Sequence, residues 1–384
     1  MADDIPTALP AGSPNAPLSQ RTPAEPQAPT RPPLAGSMIN WMVRTLLVTS
    51  LLINGLVIYA IWSAVSSARL TERFVSGSES ANDKVAIVRM DGPIIEGFLG
   101  FVDHQLKDAA QDDDVKAVVL AINSPGGSVT ASDQLWKKVK DLRDGRWPKQ
   151  SGPKPVVVAM ASIAASGGYY IAAPAQKIYA EPTTMTGSIG VYAPFLDLHK
   201  FAQDHGIAMN IIKKGELKAS GSMFREMNAE ERIHWDEMLE ATYQRFMTVV
   251  REGRNEQTQY GKRLKYDLRD EIKLTSKDGK SYVRHLADGG VFTSEQAKEF
   301  GLVDAIGYLD DAVNEAKALA KLEQAKAIAY NRPAGLWDTL LSIKSQPPDT
   351  ASISLLDIPG ASARLWYMTP GYELAGLKLP SALR

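Results

Sequence analysis

Residues 45–65 run for 21 positions without a charge (TLLVTSLLINGLVIYAIWSAV), and this stretch divides the chain before anything else is read from it. Wound as an α-helix at ~1.5 Å per residue, it reaches roughly 30 Å, the thickness of a bilayer's hydrocarbon. Trp41, Tyr59 and Trp62 fall near its ends, where amphipathic rings favour the membrane interface. A cleaved signal peptide is the rival reading, and Ala64-Val65-Ser66 has the small residues of a processing site, but the run is too long and too far from the N-terminus. A buried core helix is seldom free of charge for so long. The sequence predicts an uncleaved single-pass anchor over residues 38–66. Orientation stays open, because Arg31 and Arg44 precede the span while Arg69, Arg73 and Lys84 follow it.

Residues 1–37 hold nine of the 23 prolines among Ala, Thr, Gln and Ser, and read as a disordered arm. Residues 67–83, polar and Ser-rich, read as a tether. Strand-like runs then appear at 85–90, 116–122 and 156–160, with helical stretches near 101–111 and from about 130 to 143 between them. Further strand-like runs fall near 177–180, 188–193 and 208–213. Continuous apolar strands separated by helices predict an α/β core. Asn228 and Glu231 have capping-box spacing at the head of a helix over 229–250, which turns Trp235, Met238, Leu239, Phe246 and Val250 inward. Thr293 and Gln296 open a short helix that stops at Gly301, and residues 309–322 form another. A hairpin is expected over 273–283 around Asp278-Gly279. Residues 331–384 read as an irregular tail.

With 43 basic and 44 acidic residues the formal charge is −1, so no global field draws in nucleic acid or anionic lipid. Cysteine is absent, which excludes thiolate metal sites and cysteine nucleophiles. The five histidines show no metal-ligand spacing, and neither a metal nor an organic cofactor is expected.

Two strand-to-helix junctions carry the chemistry. The first, Asn123-Ser124-Pro125-Gly126-Gly127-Ser128, lets backbone amides approach a bound group. It lacks the endings of nucleotide-binding loops and also fits a plain tight turn. The second, Ala165-Ser166-Gly167-Gly168-Tyr169-Tyr170, places a serine at a helix start. Capping explains the serine but calls for no paired glycines. When Ser166 attacks a carbonyl, the oxygen becomes anionic; the Gly167 N–H at a helix N-terminus answers it, and an amide of the Gly126-Gly127 turn supplies a second donor. The serine needs a base. His199 is one candidate; a lysine whose ammonium is desolvated is another, from the group Lys213, Lys214 and Lys218. The residues alone leave this choice open.

Five blocks in order resemble the signal peptide peptidase A family of bacterial membrane-anchored serine proteases, over residues 84–330. They are the Asn123–Gly127 turn, the Ser166 junction, Pro182 with Thr186-Gly187-Ser188-Ile189-Gly190, the Lys218 segment, and Gly301-Leu302-Val303-Asp304. The resemblance implies a Ser–Lys dyad with Ser166 as nucleophile and Lys218 as general base. It implies an oxyanion hole at Gly127 and Gly167, with Gly126 an alternative to Gly127, and Ser188 as the hydroxyl that positions the lysine amine. It also implies the ClpP/crotonase fold of repeated ββα units and a ring-like homo-oligomer. In the short form of the family, whose length this chain has, one subunit need not enclose a whole site. The implied setting is the bacterial inner membrane, with the protease domain on the periplasmic side. Gly289-Gly290-Val291-Phe292, after a longer polar stretch, departs from the family's usual block.

The expected function is therefore an endopeptidase held to lipid by its anchor, hydrolysing remnant signal peptides and other apolar polypeptides through an acyl-enzyme. A crotonase-type acyl-CoA hydrolase or hydratase, or an inactive membrane scaffold, are the alternatives. Small and aromatic residues beside the serine (Ala164, Ala165, Gly168, Tyr169) predict extended apolar substrates paired to a sheet edge.

Overall fold

The computed structural model describes residues 34–66, 70–255, 263–331 and 366–368. The arm expected over residues 1–37 lies outside them up to residue 33, and so does most of the expected tail. Contacts divide the chain into two units, residues 1–68 and 69–384. The first contains α1 (Leu34–Ser66), whose apolar stretch Met38–Tyr59 is long enough to cross a bilayer and has none of its surface buried.

The second unit opens with β1 (Thr71–Gly77), β2 (Lys84–Asp91), α2 (Gly100–Gln111), β3 (Val115–Ser124), β4 (Gly126–Ser128), α3 (Val129–Asp144) and β5 (Val156–Ala165). It continues through α4 (Gly167–Ala172), β6 (Lys177–Ala180), β7 (Met185–Gly187), α5 (His199–Asp204), α6 (Ala229–Arg254), β8 (Ile272–Thr275) and β9 (Ser281–Arg284). Then come β10 (Val291–Thr293), α7 (Ser294–Phe300), β11 (Ala305–Ile306), α8 (Leu309–Leu319), β12 (Lys326–Asn331) and β13 (Trp366–Met368). The main sheet runs β1-β12-β2-β3-β5-β6-β11, and all of it from β12 onward is parallel.

Alternate residues of the central strands feed two cores, as a period of two requires. Ala86, Val88, Met90, Val118, Leu120 and Ile122 face one side, with α2, α3, α4, α6 and α7. Val85, Ile87, Ala117, Val119, Val157 and Ala159 face the other, closed by Ala312, Val313 and Ala316 of α8. This is the α/β architecture the sequence predicts, and β3-β4-α3 and β6-β7-α5 follow the ββα order.

β5 is longer than its apolar run suggests and serves two neighbours. Its first half, Val157–Met160, pairs with β6, and its end, Ile163–Ala165, pairs with β7. β7 in turn pairs with β10. The capping boxes at Asn228/Glu231 and Thr293/Gln296, the Gly301 stop and the β8–β9 hairpin all form.

The structure departs from the sequence reading in four places. Residues 71–77, within the expected tether, form edge strand β1 on β12, a partner about 250 positions away that no local pattern reveals. The strand expected near 188–193 stops at Gly187, because Gly187 (φ 80°) and Ser188 (φ 51°) turn the chain out of extension. The run at 208–213 joins no strand; Ile212 is fully exposed and Met209 and Ile211 stand out with it. On α6, Phe246 and Val250 are buried but Met238 is exposed, since the N-terminal half of the helix projects beyond the core.

Candidate active site

Ser166 joins β5 to α4 with φ 53° and ψ −115°, a conformation that crowds any Cβ, and only 1% of its surface is exposed. Neighbouring groups hold it there. Its N–H donates to the Gly187 carbonyl (2.7 Å), and its carbonyl accepts the Tyr170 N–H (2.8 Å). A Cβ on Gly168 would lie 2.9 Å from the Ser124 carbonyl oxygen, so the first turn of α4 packs directly on the end of β3. Tyr169 and Tyr170 are fully buried; Tyr169 donates to the Leu302 carbonyl (2.9 Å) and Tyr170 to Asp133 (2.5 Å). Burial away from water pushes the Tyr169 phenol far above its ordinary range, so it stays neutral. Gly167 opens the helix, where the first N–H groups have no intrahelical acceptor and concentrate positive potential.

Pairing of Ser124 with Ala164 sets the Gly126-Gly127 turn beside this junction. Gly126 (φ 98°) turns its N–H to Ser124 Oγ (3.2 Å), and its carbonyl accepts from Ile94 (2.9 Å). At Gly127 a Cβ would sit 2.0 Å from the Ile94 carbonyl oxygen, so only glycine fits. The next strand on β4 is β13 from the far end of the chain, with Trp366, Tyr367 and Met368 antiparallel to Ser128, Gly127 and Gly126.

On the other flank, Ala165 pairs with Gly187 and brings in Ser188. Ser188 is 2% exposed; its hydroxyl donates to the Gly289 carbonyl (2.9 Å) and its N–H to the Gly290 carbonyl (2.9 Å). With its proton so directed, Ser188 Oγ keeps lone pairs to accept from an amine. Ser166, Gly167, Gly127 and Ser188 therefore gather where β3, β5 and β7 end.

Lys218 does not join them within the chain. It is exposed on a 3₁₀ turn, Glu216–Ala219, and among the described residues its ammonium makes no hydrogen bond or ion pair. Lys214 is exposed too, and Lys213 donates to the Glu216 carbonyl (2.5 Å). His199, at the start of α5, meets Gln203 (2.9 Å) and lies 3.9 Å from Glu226 of the loop before α6, a surface arrangement.

A cavity of about 430 Å³ adjoins Ser188, walled by Gly190, Tyr192, Leu239, Tyr243 and Met368 among others. Met368 is 4% exposed and packs with Ile95 and Tyr192. Three carboxylates reach the cavity. Two are neutralised: Glu240 by Arg269 (2.9 Å) and Asp288 by Arg284 (2.7 Å); burial works to raise the Asp288 carboxyl, but the guanidinium and the Gly290 N–H together leave it below its usual range. Asp236, the third, is exposed. Among the described residues no three His, Asp or Glu side chains converge as a metal would require.

Sequence reading missed several contributors: the carbonyls of Gly187, Gly289 and Gly290, the Ser124 hydroxyl, and Met368. The Gly289-Gly290 pair was visible as a departure from a family block, but nothing in its spacing tied it to a serine 101 residues earlier.

The sequence pattern of peptidase family S49 matches residues 149–264 and 274–323. A putative protease of Methanocaldococcus jannaschii is 34% identical over 225 residues, covering 59% of this chain and 63% of its own length. The putative signal peptide peptidase SppA of Enterococcus faecium is 34% identical over 226 residues, 59% of this chain and 57% of that protein. A putative protease of Synechocystis sp. is 32% identical over 247 residues, 64% of this chain and 78% of its own. The chain thus spans less than two thirds of the length of the first two.

Proposed function

From its membership of peptidase family S49, of the signal peptide peptidase A type, we propose that the chain is a serine endopeptidase working through a Ser166–Lys218 dyad. The observation that carries this reading is Ser166 itself: a buried serine held at positive φ, with the free end of a helix beside it. The Lys218 amine takes the Ser166 proton as Oγ attacks the scissile carbonyl, and returns it to the leaving amine. The Gly167 N–H meets the oxyanion and an amide of the Gly126-Gly127 turn supplies the second donor, released from its present partner, Ser124 Oγ for Gly126 or the paired Tyr367 for Gly127, when substrate takes the place of β13. Water then releases the acyl group from Ser166. Ser188 accepts an N–H of the Lys218 amine and so aims its lone pair, its own proton lying on Gly289.

Exposure of Lys218 supports a dyad shared between copies, with the base of one subunit serving the serine of its neighbour in a ring-like homo-oligomer. Pairing of β13 with β4 supports an extended peptide substrate, because this edge already accepts an antiparallel segment and buries its methionine. Remnant signal peptides and apolar segments of other polypeptides fit that edge, with apolar side chains entering the cavity. The domain scheme completes the reading: an N-terminal arm, an inner-membrane anchor over 38–66, a periplasmic protease domain that extends the expected 84–330 upstream to include β1 (Thr71–Gly77), and a tail over 331–384.

Hydrolysis of a fluorogenic apolar peptide by the full chain, alongside labelling by a fluorophosphonate, tests the dyad. Ser166→Ala abolishes both signals and leaves folding intact, Lys218→Ala lowers kcat by several orders of magnitude, and His199→Ala costs little. Activity of Ser166→Ala within tenfold of wild type, or the reverse order of the base variants, overturns the assignment. A tag after Arg384 that resists protease in spheroplasts would place the domain in the cytoplasm.

A further inference from the structure

Glu231 is the one carboxylate on α6 with no exposed surface. Its capping role uses one oxygen, which accepts the Asn228 N–H (3.2 Å). Both oxygens nevertheless engage Arg225, Oε2 from Nη1 at 2.9 Å and Oε1 from Nη2. A helix cap has no need of a bidentate guanidinium. Arg225 Nη2 also donates to the carbonyl of Ala219 (2.6 Å), the residue directly after Lys218.

The clamp extends along the chain. Trp235, one helical turn beyond Glu231, donates from Nε1 to Ser220 Oγ (2.8 Å). Gly221, at φ 77°, lies so close to the Phe195 ring that a Cβ would stand 2.6 Å from it, and that ring meets Trp235 edge-on at 4.9 Å. Three successive residues after Lys218 are thus each fixed, while residues 207–218 before them are exposed.

We propose that Arg225, Glu231 and Trp235 are positioning residues that set where Lys218 stands, fixing its backbone to α6 from the C-terminal side. The proposal rests on Lys218 being the base. A flexible four-carbon side chain must bring its nitrogen to within hydrogen-bond reach of a serine, and a shift of ~1 Å in such a group costs on the order of 100-fold in rate. The anchor removes backbone freedom that the exposed side of the loop would otherwise allow.

Trp235→Phe keeps an aromatic ring towards Phe195 but deletes the N–H donor and part of the indole; Ser220→Ala deletes the acceptor alone and leaves the ring contact intact. Each is expected to lower kcat about 10-fold with KM within about twofold, the double variant being no worse than either alone. Arg225→Met is expected to lower kcat by about 10–100-fold, and Arg225→Lys to recover little, because one ammonium cannot satisfy a bidentate carboxylate and a carbonyl together. Fluorophosphonate labelling of Ser166 slows in parallel. Lower melting temperature with kcat unchanged would reduce these residues to a structural cap and overturn the proposal, as would a loss confined to KM. If Arg225→Met fails to fold, Trp235→Phe and Ser220→Ala decide. Lys218→Ala in the same assay separates the two ideas. Retained activity there removes the base, whereas an inactive Lys218→Ala beside wild-type kcat in the anchor variants removes the anchor alone.

Discussion

At Ser166 two energies compete, and a pair of substitutions separates them. Holding a residue with a Cβ at φ 53°, ψ −115° costs about 1–3 kcal/mol, whereas glycine costs about 0.5–1 kcal/mol in lost chain freedom. Ser166→Ala keeps the Cβ and the strain, and Ser166→Gly loses both. Both should be inactive, with Ser166→Gly the more stable by roughly 1 kcal/mol in urea unfolding, the difference between those terms. A less stable glycine variant would mean that the neighbouring hydrogen bonds, and not the Cβ, set the conformation. On the proposed role of Ser188, Ser188→Ala would leave Lys218 present but undirected, so kcat should fall about 10–100-fold, less than for either dyad change. Much at this scale was legible, since paired glycines after a serine at a strand end call for more than a cap. The carbonyls that hold Ser188 were not, because backbone acceptors carry no residue signature.

Elements were legible where local chemistry determines them. The two capping boxes and the Gly301 stop formed where spacing placed them, as did the core strands with their two-faced burial. Elements fixed by distant partners were not: β1 depends on β12, and β7 ends at a pair of positive φ angles that an apolar run cannot display. α6 also carries a pH dependence. The Arg225 guanidinium, with the Asn228 N–H, holds the Glu231 carboxyl below its ordinary range despite its burial. A depressed carboxylate contributes stability above its unfolded value and loses it as pH falls through the lower folded one. The stability gap between wild type and Glu231→Gln should therefore be widest near neutral pH and shrink as the solution is acidified below ~4.3, the ordinary glutamate value. A gap that stays constant from pH 7 to 3 would show that the charge of Glu231 does not matter. At β4, Gly127→Ala should cost activity and stability together, because its Cβ meets the Ile94 carbonyl at 2.0 Å and the turn has to open.

For the whole molecule, the proposed dyad makes the base of Ser166 a matter of assembly. Four members of the site converge where β3, β5 and β7 end, while Lys218 projects from an exposed loop whose flank carries Ile207, Met209, Ile211 and Ile212 in solvent. Clustered apolar side chains of this kind mark a surface meant to be covered. On the proposed dyad, a subunit that covers the loop would also approach Lys218, and burial of the apolar flank and completion of the dyad would then be one event. Two inactive proteins then become informative. Ser166→Ala retains a working base and Lys218→Ala a working nucleophile, so mixed oligomers of the two contain interfaces where intact Ser166 faces intact Lys218. Dissociating and reassembling the pair together should restore peptide hydrolysis, while each reassembled alone stays inactive. Were the dyad completed within one chain, no mixture could pair the intact residues, and the mixed sample would remain as inactive as its parts. Exchanging Ile212 for Asp in wild type should weaken assembly and lower activity per molecule, with the loss growing on dilution. Activity independent of concentration in that variant would detach the apolar flank from the site.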